Sequence, residues 1–142
     1  MSRKEQDGLG RFLDAQRTSY ETALKEVKSG RKRSHWIWYI FPQIAGLGYS
    51  ETARYYAIKD MGEAKAYMEN ETLRIRLVEI SRALLEIDSD DASQVMGWPD
   101  DLKLRSSMTL FALASPEEKV FQKVLDKFFH GQMDQKTIEI LQ

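Results

Sequence analysis

Residues 31–38 read Arg-Lys-Arg-Ser-His-Trp-Ile-Trp and combine three cations with two indole rings. If Ser34 begins a helix, the backbone N–H groups after it can bind a phosphate or a carboxylate, and Lys32 adds positive charge. Trp36 or Trp38 offers a flat face on which a base or another planar ring can stack. The block therefore predicts a binding site for a small anionic ligand of nucleotide-like type.

His35 lies within this block and is one of only two histidines in the chain. Its imidazole titrates near neutral pH, which makes it the natural proton carrier if the site is catalytic. Asp101 is the second candidate for an acid or base, and hydrolysis or group transfer is the reaction class that suits such groups. The alternative stays open that the cations form a solvated loop and that the histidine and tryptophans belong to the core.

A second polar stretch, residues 100–109, is predicted to be helical. On a helix, Lys103 lies one turn from Ser106 and Ser107, opposite an apolar face, so these side chains can line a cleft. Adjacent serines are poor helix formers, and this local cost keeps a functional role open. The alternative is that the serines let another helix approach closely or bond back to the preceding turn.

Arg11 and Gln43 are polar residues close to strongly apolar stretches. If they are buried they need partners, and a ligand could be one of them; otherwise each ties a loop to a helix end. The sequence thus predicts two catalytic candidates, His35 and Asp101. The candidate binding residues are Arg11, Lys32, Trp36, Trp38, Gln43, Lys103, Ser106 and Ser107.

Familiar metal and cofactor sites are excluded by counting residues. The chain has no cysteine and two distant histidines, so no metal site is predicted. Asp88 and Asp90 resemble the first ligands of a calcium loop, but Pro99 stands at its twelfth position. Gly46-Leu47-Gly48 lacks the third glycine of a dinucleotide loop. The identity of any cofactor stays open.

Composition limits the class of protein. The 142 residues are 42% hydrophobic and 30% charged, which suits one globular domain. With 21 Lys and Arg against 22 Asp and Glu, the net charge is -1, which excludes disorder as the main state and disfavours nucleic acid as a partner. The lack of cysteine fits a reducing compartment, and no apolar run is long enough to span a bilayer. We therefore expect a cytoplasmic protein without a membrane segment.

Helices must position these side chains. Apolar residues recur at three-to-four spacing over residues 9–27 and 71–87, which is typical of amphipathic helices. Thr18-Ser19 is predicted to divide the first of these into two, because both residues favour caps. The apolar run 35–41 is too short for periodicity to separate a buried helix from a buried strand, and Pro42 ends it in either case.

Capping residues mark the predicted helix starts. Ser115 is the clearest start, because Pro116 needs no donor in a first turn and two glutamates follow it. Further starts are predicted at Ser50, Asp60, Asn70 and Asp134. Nothing repeats and no linker separates two cores, so we predict one all-α domain of six to eight helices over residues 9–142, preceded by a tail over residues 1–8.

Two long strings resemble a known family: His35-Trp36-Ile37-Trp38-Tyr39-Ile40-Phe41-Pro42-Gln43 and Lys103-Leu104-Arg105-Ser106-Ser107-Met108-Thr109-Leu110-Phe111. With shorter blocks around Arg11, Gln16, Tyr20 and Gly46, they look like domain-of-unknown-function family 1810 over about residues 9 to 129. The resemblance implies a small, mainly helical single domain of bacterial type without an established activity.

Members of that family sometimes carry the label calpastatin, but a disordered protease inhibitor needs repeats and low hydrophobicity, and this sequence has neither. A fold-level likeness to small helical proteins that handle ADP-ribose-type ligands is an analogy that suggests the ligand class named above. The second hypothesis is a protein interaction module or homo-oligomer with the tryptophans, Tyr55, Tyr56 or Phe129 as anchors. The oligomeric state stays open.

Overall fold

The structure, a computed structural model, describes residues 8–142. This range contains nine helices, six of them seven residues or longer, in one compact domain, which confirms the predicted all-α fold. The number exceeds the predicted six to eight because two helices, Ile37–Ile40 and Ala92–Met96, have only 4 and 5 residues and are too short to show a periodic pattern. Of the predicted tail over residues 1–8, all but Gly8 lies outside the described range.

The helices are α1 (Gly10–Lys28), α2 (Ile37–Ile40), α3 (Glu51–Tyr56), α4 (Met61–Glu69), α5 (Glu71–Glu86), α6 (Ala92–Met96), α7 (Asp100–Ala114), α8 (Val120–Phe129) and α9 (Gln135–Leu141). A parallel β-bridge joins Ile44 to Ile58 in the loops on either side of α3. Between residues 8 and 142, no helix combines the length and the apolar composition that crossing a membrane requires.

Helix α1 is continuous over 19 residues, so the predicted division at Thr18-Ser19 is wrong. Thr18 is exposed, and the hydroxyl of Ser19 receives a hydrogen bond from the phenol of Tyr39 at 3.0 Å instead of competing for the helix backbone. In the apolar stripe of α1, Phe12, Ala23 and Val27 are fully buried. Burial of this stripe outweighs the weak helix propensity of the two hydroxyl residues.

The apolar run 35–41 forms the single-turn helix α2, which answers the open choice between helix and strand. The N-cap position is occupied by Trp36, and no side chain caps it. The predicted N-cap at Ser34 is therefore wrong, because its hydroxyl and its backbone N–H both donate to the carboxylate of Glu26. This short helix nonetheless buries Ile37 at 1% exposure, so packing holds it in place.

Four of the five predicted helix starts are confirmed by a capping hydrogen bond. The capping side chains accept a hydrogen bond from the backbone three residues later, at Ser50, Asp60, Asn70 and Asp134. The start at Ser115 is wrong, since α8 begins at Val120. The backbone N–H of Ser115 donates to the carbonyl of Phe111, so this serine ends α7, and its hydroxyl donates to Glu117.

The core is built around α5, α7 and α8. Helix α1 lies against α5, and α8 lies against both α5 and α7. A chain of ring contacts runs through the centre, with centroid distances of 5.2 Å, 5.0 Å and 6.0 Å along Phe12, Tyr67, Phe111 and Phe121. Helix α2 is fixed at the edge of this core by α1, α3 and α7. As a consequence the segment before α2 lies beside the first turns of α7.

Candidate functional site

The two polar segments singled out in the sequence meet in the structure. The ammonium of Lys32 lies 2.8 Å from a carboxylate oxygen of Asp100, at the start of α7. One turn further along α7, the ammonium of Lys103 lies 5.1 Å from the ring centroid of Trp38. The structure therefore brings together the two stretches that were expected to form the site.

The side chains of Lys32 and Trp36 contact other groups of the protein and are not available to a ligand. The side chain of Lys32 is 7% exposed, and its ammonium also donates to the carbonyl of Ser34. It lies 5.0 Å from the ring centroid of Trp36, whose own exposure is 1%. No face of this indole is open to a planar ligand, and the charge of Lys32 is largely neutralised by Asp100.

The expected anion site is occupied by Glu26, which is not among the residues predicted for the site. Its carboxylate accepts hydrogen bonds from the backbone N–H groups of Arg33 and Ser34 at 2.8 and 2.9 Å, from the hydroxyl of Ser34, and from the indole N–H of Trp36 at 2.8 Å. Burial by itself would raise the pKa of Glu26, but these four donors outweigh it and lower the pKa to about 2. The donors predicted to bind a ligand's anion thus hold an anion of the chain itself.

The low pKa of Glu26 makes the fold sensitive to acid. Its folded-state pKa of about 2 lies below the ordinary value of 4.5, so protons bind the unfolded chain first as the pH falls. The stabilisation from Glu26 is therefore present above about pH 4.5 and lost progressively toward pH 2. We expect the stability difference between the wild type and Glu26→Gln, which has no proton to gain, to shrink over this window. Urea unfolding at several pH values measures it, and a constant difference would contradict the assignment.

A small cavity remains where the two segments meet. This cavity, called here the Trp38 cavity, is lined by Ile37, Trp38, Phe41, Gln43, Ala53, Tyr56, Ala57 and Lys103, and it has a volume of ≈ 10 Å³. That volume is room for about one water molecule. Three of the predicted binding residues, Trp38, Gln43 and Lys103, therefore share one cavity wall.

Two polar groups in this wall are open to solvent, since neither belongs to the buried side-chain atoms that have no partner in the described residues. Within residues 8–142, neither the ammonium of Lys103 nor the side-chain amide of Gln43 makes a hydrogen bond. The nearest carboxylate oxygen to Lys103 belongs to Asp100, at 3.6 Å. Gln43 contributes only its backbone carbonyl, which accepts from the N–H of Ile58 at 2.9 Å. A ligand group at the cavity would replace the solvent that reaches both side chains.

Tyr56 is the third polar residue of the wall. Burial, together with the neighbouring phenols of Tyr55 and Tyr39, raises the pKa of Tyr56 above its ordinary value of 10.0. Its hydroxyl therefore stays protonated at neutral pH, where it can donate a hydrogen bond. Its ring lies 5.2 Å from that of Tyr39 and 6.1 Å from that of Phe12. These ring contacts fix the phenol at the edge of the cavity.

Arg11 lies outside the cavity but determines the position of its wall. Its guanidinium donates to the carbonyls of Tyr55 and Ala57, both at 2.8 Å, and pairs with Glu63 at 3.0 Å. It also donates to the carbonyl of Gly8. Arg11 thus ties α1 to the end of α3 and to α4, which is the structural alternative stated for this residue.

The serines of α7 face other elements of the protein. The hydroxyl of Ser106 shares its one proton between the carbonyl of Leu102 at 3.1 Å and the carboxylate of Asp134 at 3.2 Å, so it helps to hold the start of α9. Ser107 is fully buried, and its hydroxyl has no hydrogen bond within the described residues. Neither serine is among the residues that line the Trp38 cavity.

The two catalytic candidates do not converge on the cavity. His35 is exposed in the loop before α2. Asp101 points to another side of α7, where its carboxylate accepts a hydrogen bond from the hydroxyl of Ser93 at 2.9 Å. In the part of the chain that the structure describes, no group of three or more His, Cys, Asp or Glu side chains could hold a metal ion.

The aromatic anchors considered for protein docking differ widely in exposure. Trp98 is 77% exposed and Tyr55 60% exposed, whereas Trp36 is buried. Tyr56 and Phe129 are half-buried and pack against the core. Exposed aromatics are therefore present, but at separate places along the chain.

Comparison with known proteins identifies the family of the chain. Residues 6–141 match the family described as Protein of unknown function (DUF1810). The chain belongs to this family. The crystal structure of the conserved hypothetical protein Rv1873 from Mycobacterium tuberculosis is similar, with 41% sequence identity and a TM-score of 0.92. The match covers 94% of this chain and 95% of that one. No curated protein matches the chain.

The two strings on which the DUF1810 resemblance depends meet at the Trp38 cavity. The string 35–43 supplies Trp38 and Gln43, and the string 103–111 supplies Lys103. The similarity to Rv1873, like the family match, carries no statement about a ligand or an activity. The contact between the two strings is therefore a structural observation on which a functional proposal can be built.

Two residues of this DUF1810 protein, Glu26 and Tyr56, were not predicted to belong to the site. Glu26 lies three residues after Ala23, on the buried side of α1, and a carboxylate at such a position is a sign of a buried polar cluster. Tyr56 was named only as a docking anchor. Its place in the cavity wall depends on the loop contacts of Arg11, which no local pattern reveals.

Proposed function

We propose that the protein binds a small molecule with an anionic group and a flat ring, of nucleotide-like type, at the Trp38 cavity. The observation that carries the proposal is that Lys103 and Gln43 line one cavity with no hydrogen bond to their side chains within residues 8–142. A phosphate or carboxylate oxygen would accept from both of them. The proposed compartment is the cytoplasm, as the lack of cysteine suggests.

The charge balance around Asp100 supports an anionic ligand. Lys32 and Lys103 share this one carboxylate, with distances of 2.8 Å and 3.6 Å. Asp100 neutralises Lys32, which is the closer of the two. The positive charge of Lys103 is therefore left uncompensated. Lys103 is also the more accessible of the two, at 25% side-chain exposure against 7%. A ligand anion would compensate the remaining charge.

The size of the cavity limits how the ligand lies. A volume of ≈ 10 Å³ admits about one small polar group, so the remainder of the ligand lies on the outer surface. Trp38 is half-buried, so part of its ring stays accessible near the ammonium of Lys103, which lies over the same ring. Tyr56 adds a hydroxyl donor. We propose binding as the function, because the proton carrier suggested by the sequence, His35, is not part of this wall.

Replacing Lys103 with methionine is expected to weaken the binding of adenosine monophosphate by about tenfold or more, because a hydrogen bond to a charged group is lost. Isothermal titration calorimetry with adenosine monophosphate, ADP-ribose and inorganic phosphate measures this effect. Lys136→Met is the matched control, since Lys136 is an exposed lysine on α9. Equal affinities in both variants, or no binding of any of the three probes at millimolar concentration, would refute the proposal.

A further inference from the structure

Two buried carboxylates of this protein differ sharply in the number of donors they receive. Glu26 and Asp101 are each 9% exposed. The carboxylate of Glu26 accepts four hydrogen bonds, from two backbone N–H groups, a hydroxyl and an indole. Asp101 accepts one, at Oδ2, from the hydroxyl of Ser93. Its Oδ1 atom is buried and has no hydrogen-bond partner within residues 8–142.

A buried carboxylate with a single donor is unusual and calls for an explanation. Buried polar atoms in native proteins are hydrogen-bonded in the large majority of cases, and an unpaired buried charge is costly. Asp101 lies in the first turn of α7, where the helix dipole partly stabilises its charge. The helix dipole stabilises any negative charge near the start of α7, but it is not a hydrogen-bond donor to Oδ1. Oδ1 has no surface open to solvent, so a positively charged ligand in the neighbouring groove would compensate the charge of this carboxylate as a whole, without a hydrogen bond to Oδ1 itself.

Asp101 lines an open groove on the surface. The groove, called here the Asp101 groove, has a volume of ≈ 550 Å³ and lies between α6, the start of α7 and the end of α8. A cleft of this size is within the range of small-molecule sites. Ser93, Leu102 and Phe129 line the same groove, so an acidic group, a hydroxyl and apolar surface lie together in it.

The cations in the wall of the groove are already engaged by the protein. Lys127 donates to the carbonyls of Leu84, Leu85 and Ile87 at the end of α5. Arg105 donates to two carbonyls in the loop between α8 and α9. Both positive charges thus face the negative ends of backbone dipoles.

The charge that no other group of the groove wall compensates is therefore negative. Asp101 has an oxygen without a partner, and Asp90 is exposed in the same wall. An anion would meet these carboxylates and is disfavoured there. A divalent metal would need more oxygen ligands than Asp101 and Ser93 supply. A single ammonium or guanidinium group fits one carboxylate and one hydroxyl.

We propose that the Asp101 groove binds a small organic cation through a primary ammonium or guanidinium group, with Asp101 as its counter-ion. Ser93 supplies a second acceptor through its hydroxyl oxygen. Leu102, which is 49% exposed, contacts the methylene chain of the ligand. This site is distinct from the Trp38 cavity, with which it shares no lining residue.

The probe for the experiment is agmatine, which carries an ammonium and a guanidinium on one methylene chain; putrescine is the probe for ammonium alone. Titration of the full chain at low salt is followed by calorimetry and by the melting temperature. Asp101→Asn keeps the shape of the side chain and removes its charge. We expect agmatine at millimolar concentration to raise the melting temperature of the wild type, and its affinity for Asp101→Asn to be at least about tenfold weaker.

Two controls keep the test decisive. Asp101→Asn is expected to fold without a loss in melting temperature, because the substitution removes a buried charge with an unpaired oxygen. Glu21→Gln removes an equal charge from the exposed face of α1 and should leave agmatine affinity unchanged. Equal agmatine affinity in the wild type and Asp101→Asn, or no binding of either amine, would overturn the proposal. Titration with adenosine monophosphate reports separately on the Trp38 cavity.

Discussion

Replacing Glu26 with alanine is expected to lower the free energy of unfolding by about 3–5 kcal/mol, the largest effect of any single substitution proposed for this chain. The substitution removes the acceptor of four donors, among them the indole N–H of Trp36, which is 1% exposed. A buried donor that loses its acceptor costs about 1–3 kcal/mol. Chemical denaturation at pH 7, followed by circular dichroism, measures the loss.

Glu26→Gln separates the geometry of the site from its charge. The amide oxygen can accept from the three N–H donors that now share Oε1, and the hydroxyl of Ser34 can turn to accept from the amide. We therefore expect a loss of about 1–2 kcal/mol, the difference between charged and neutral hydrogen bonds. Glu21→Ala, on the exposed face of α1, should change stability by less than about 0.5 kcal/mol. Equal losses for Gln and Ala at position 26 would contradict the hydrogen-bond assignment.

The fold could be predicted where its signals are local. Helix α5 is predicted by its apolar spacing and by the cap at Asn70. Each of these signals depends only on residues a few positions apart in the sequence. Ser115 shows the limit of such signals. A serine before a proline and two glutamates is a good start for a helix, but here α7 ends on the backbone of Ser115. Which of two adjacent helices uses a residue depends on their packing, which is a property of the whole fold.

The candidate site could be predicted only in part for the same reason. Residue types in the segment 31–38 indicated anion binding, and the donors there do bind a carboxylate. The place of Glu26 on the buried side of α1 indicates a buried polar cluster, but the sequence does not show which donors it meets, because the carboxylate and the loop come together only in the folded chain. Likewise Lys32 and Asp100 lie far apart in the chain and meet only in the folded state. Local patterns reveal what a group can bind, whereas tertiary contacts decide what it does bind.

Replacing Arg11 with methionine is expected to lower the free energy of unfolding by about 3 kcal/mol. The guanidinium is 15% exposed and its partner Glu63 is 9% exposed, so the substitution leaves a buried carboxylate without its cation. The carbonyls of Tyr55 and Ala57 also lose their donors. Arg11→Lys keeps the charge but not the planar fork, and we expect about half of the loss. Thermal and urea unfolding of both variants measure the difference.

The pair formed by Arg17 and Asp14 is a built-in control for the Arg11 experiment. It has a shorter contact, 2.6 Å against 3.0 Å, but its side chains are 68% and 66% exposed. Because water screens exposed charges, Arg17→Met should cost less than about 0.5 kcal/mol. Arg11 also fixes the end of α3, which carries Tyr56, so Arg11→Met should weaken ligand binding at the Trp38 cavity, which Arg17→Met leaves unchanged. Equal destabilisation by the two substitutions would mean that burial does not govern the strength of these ion pairs.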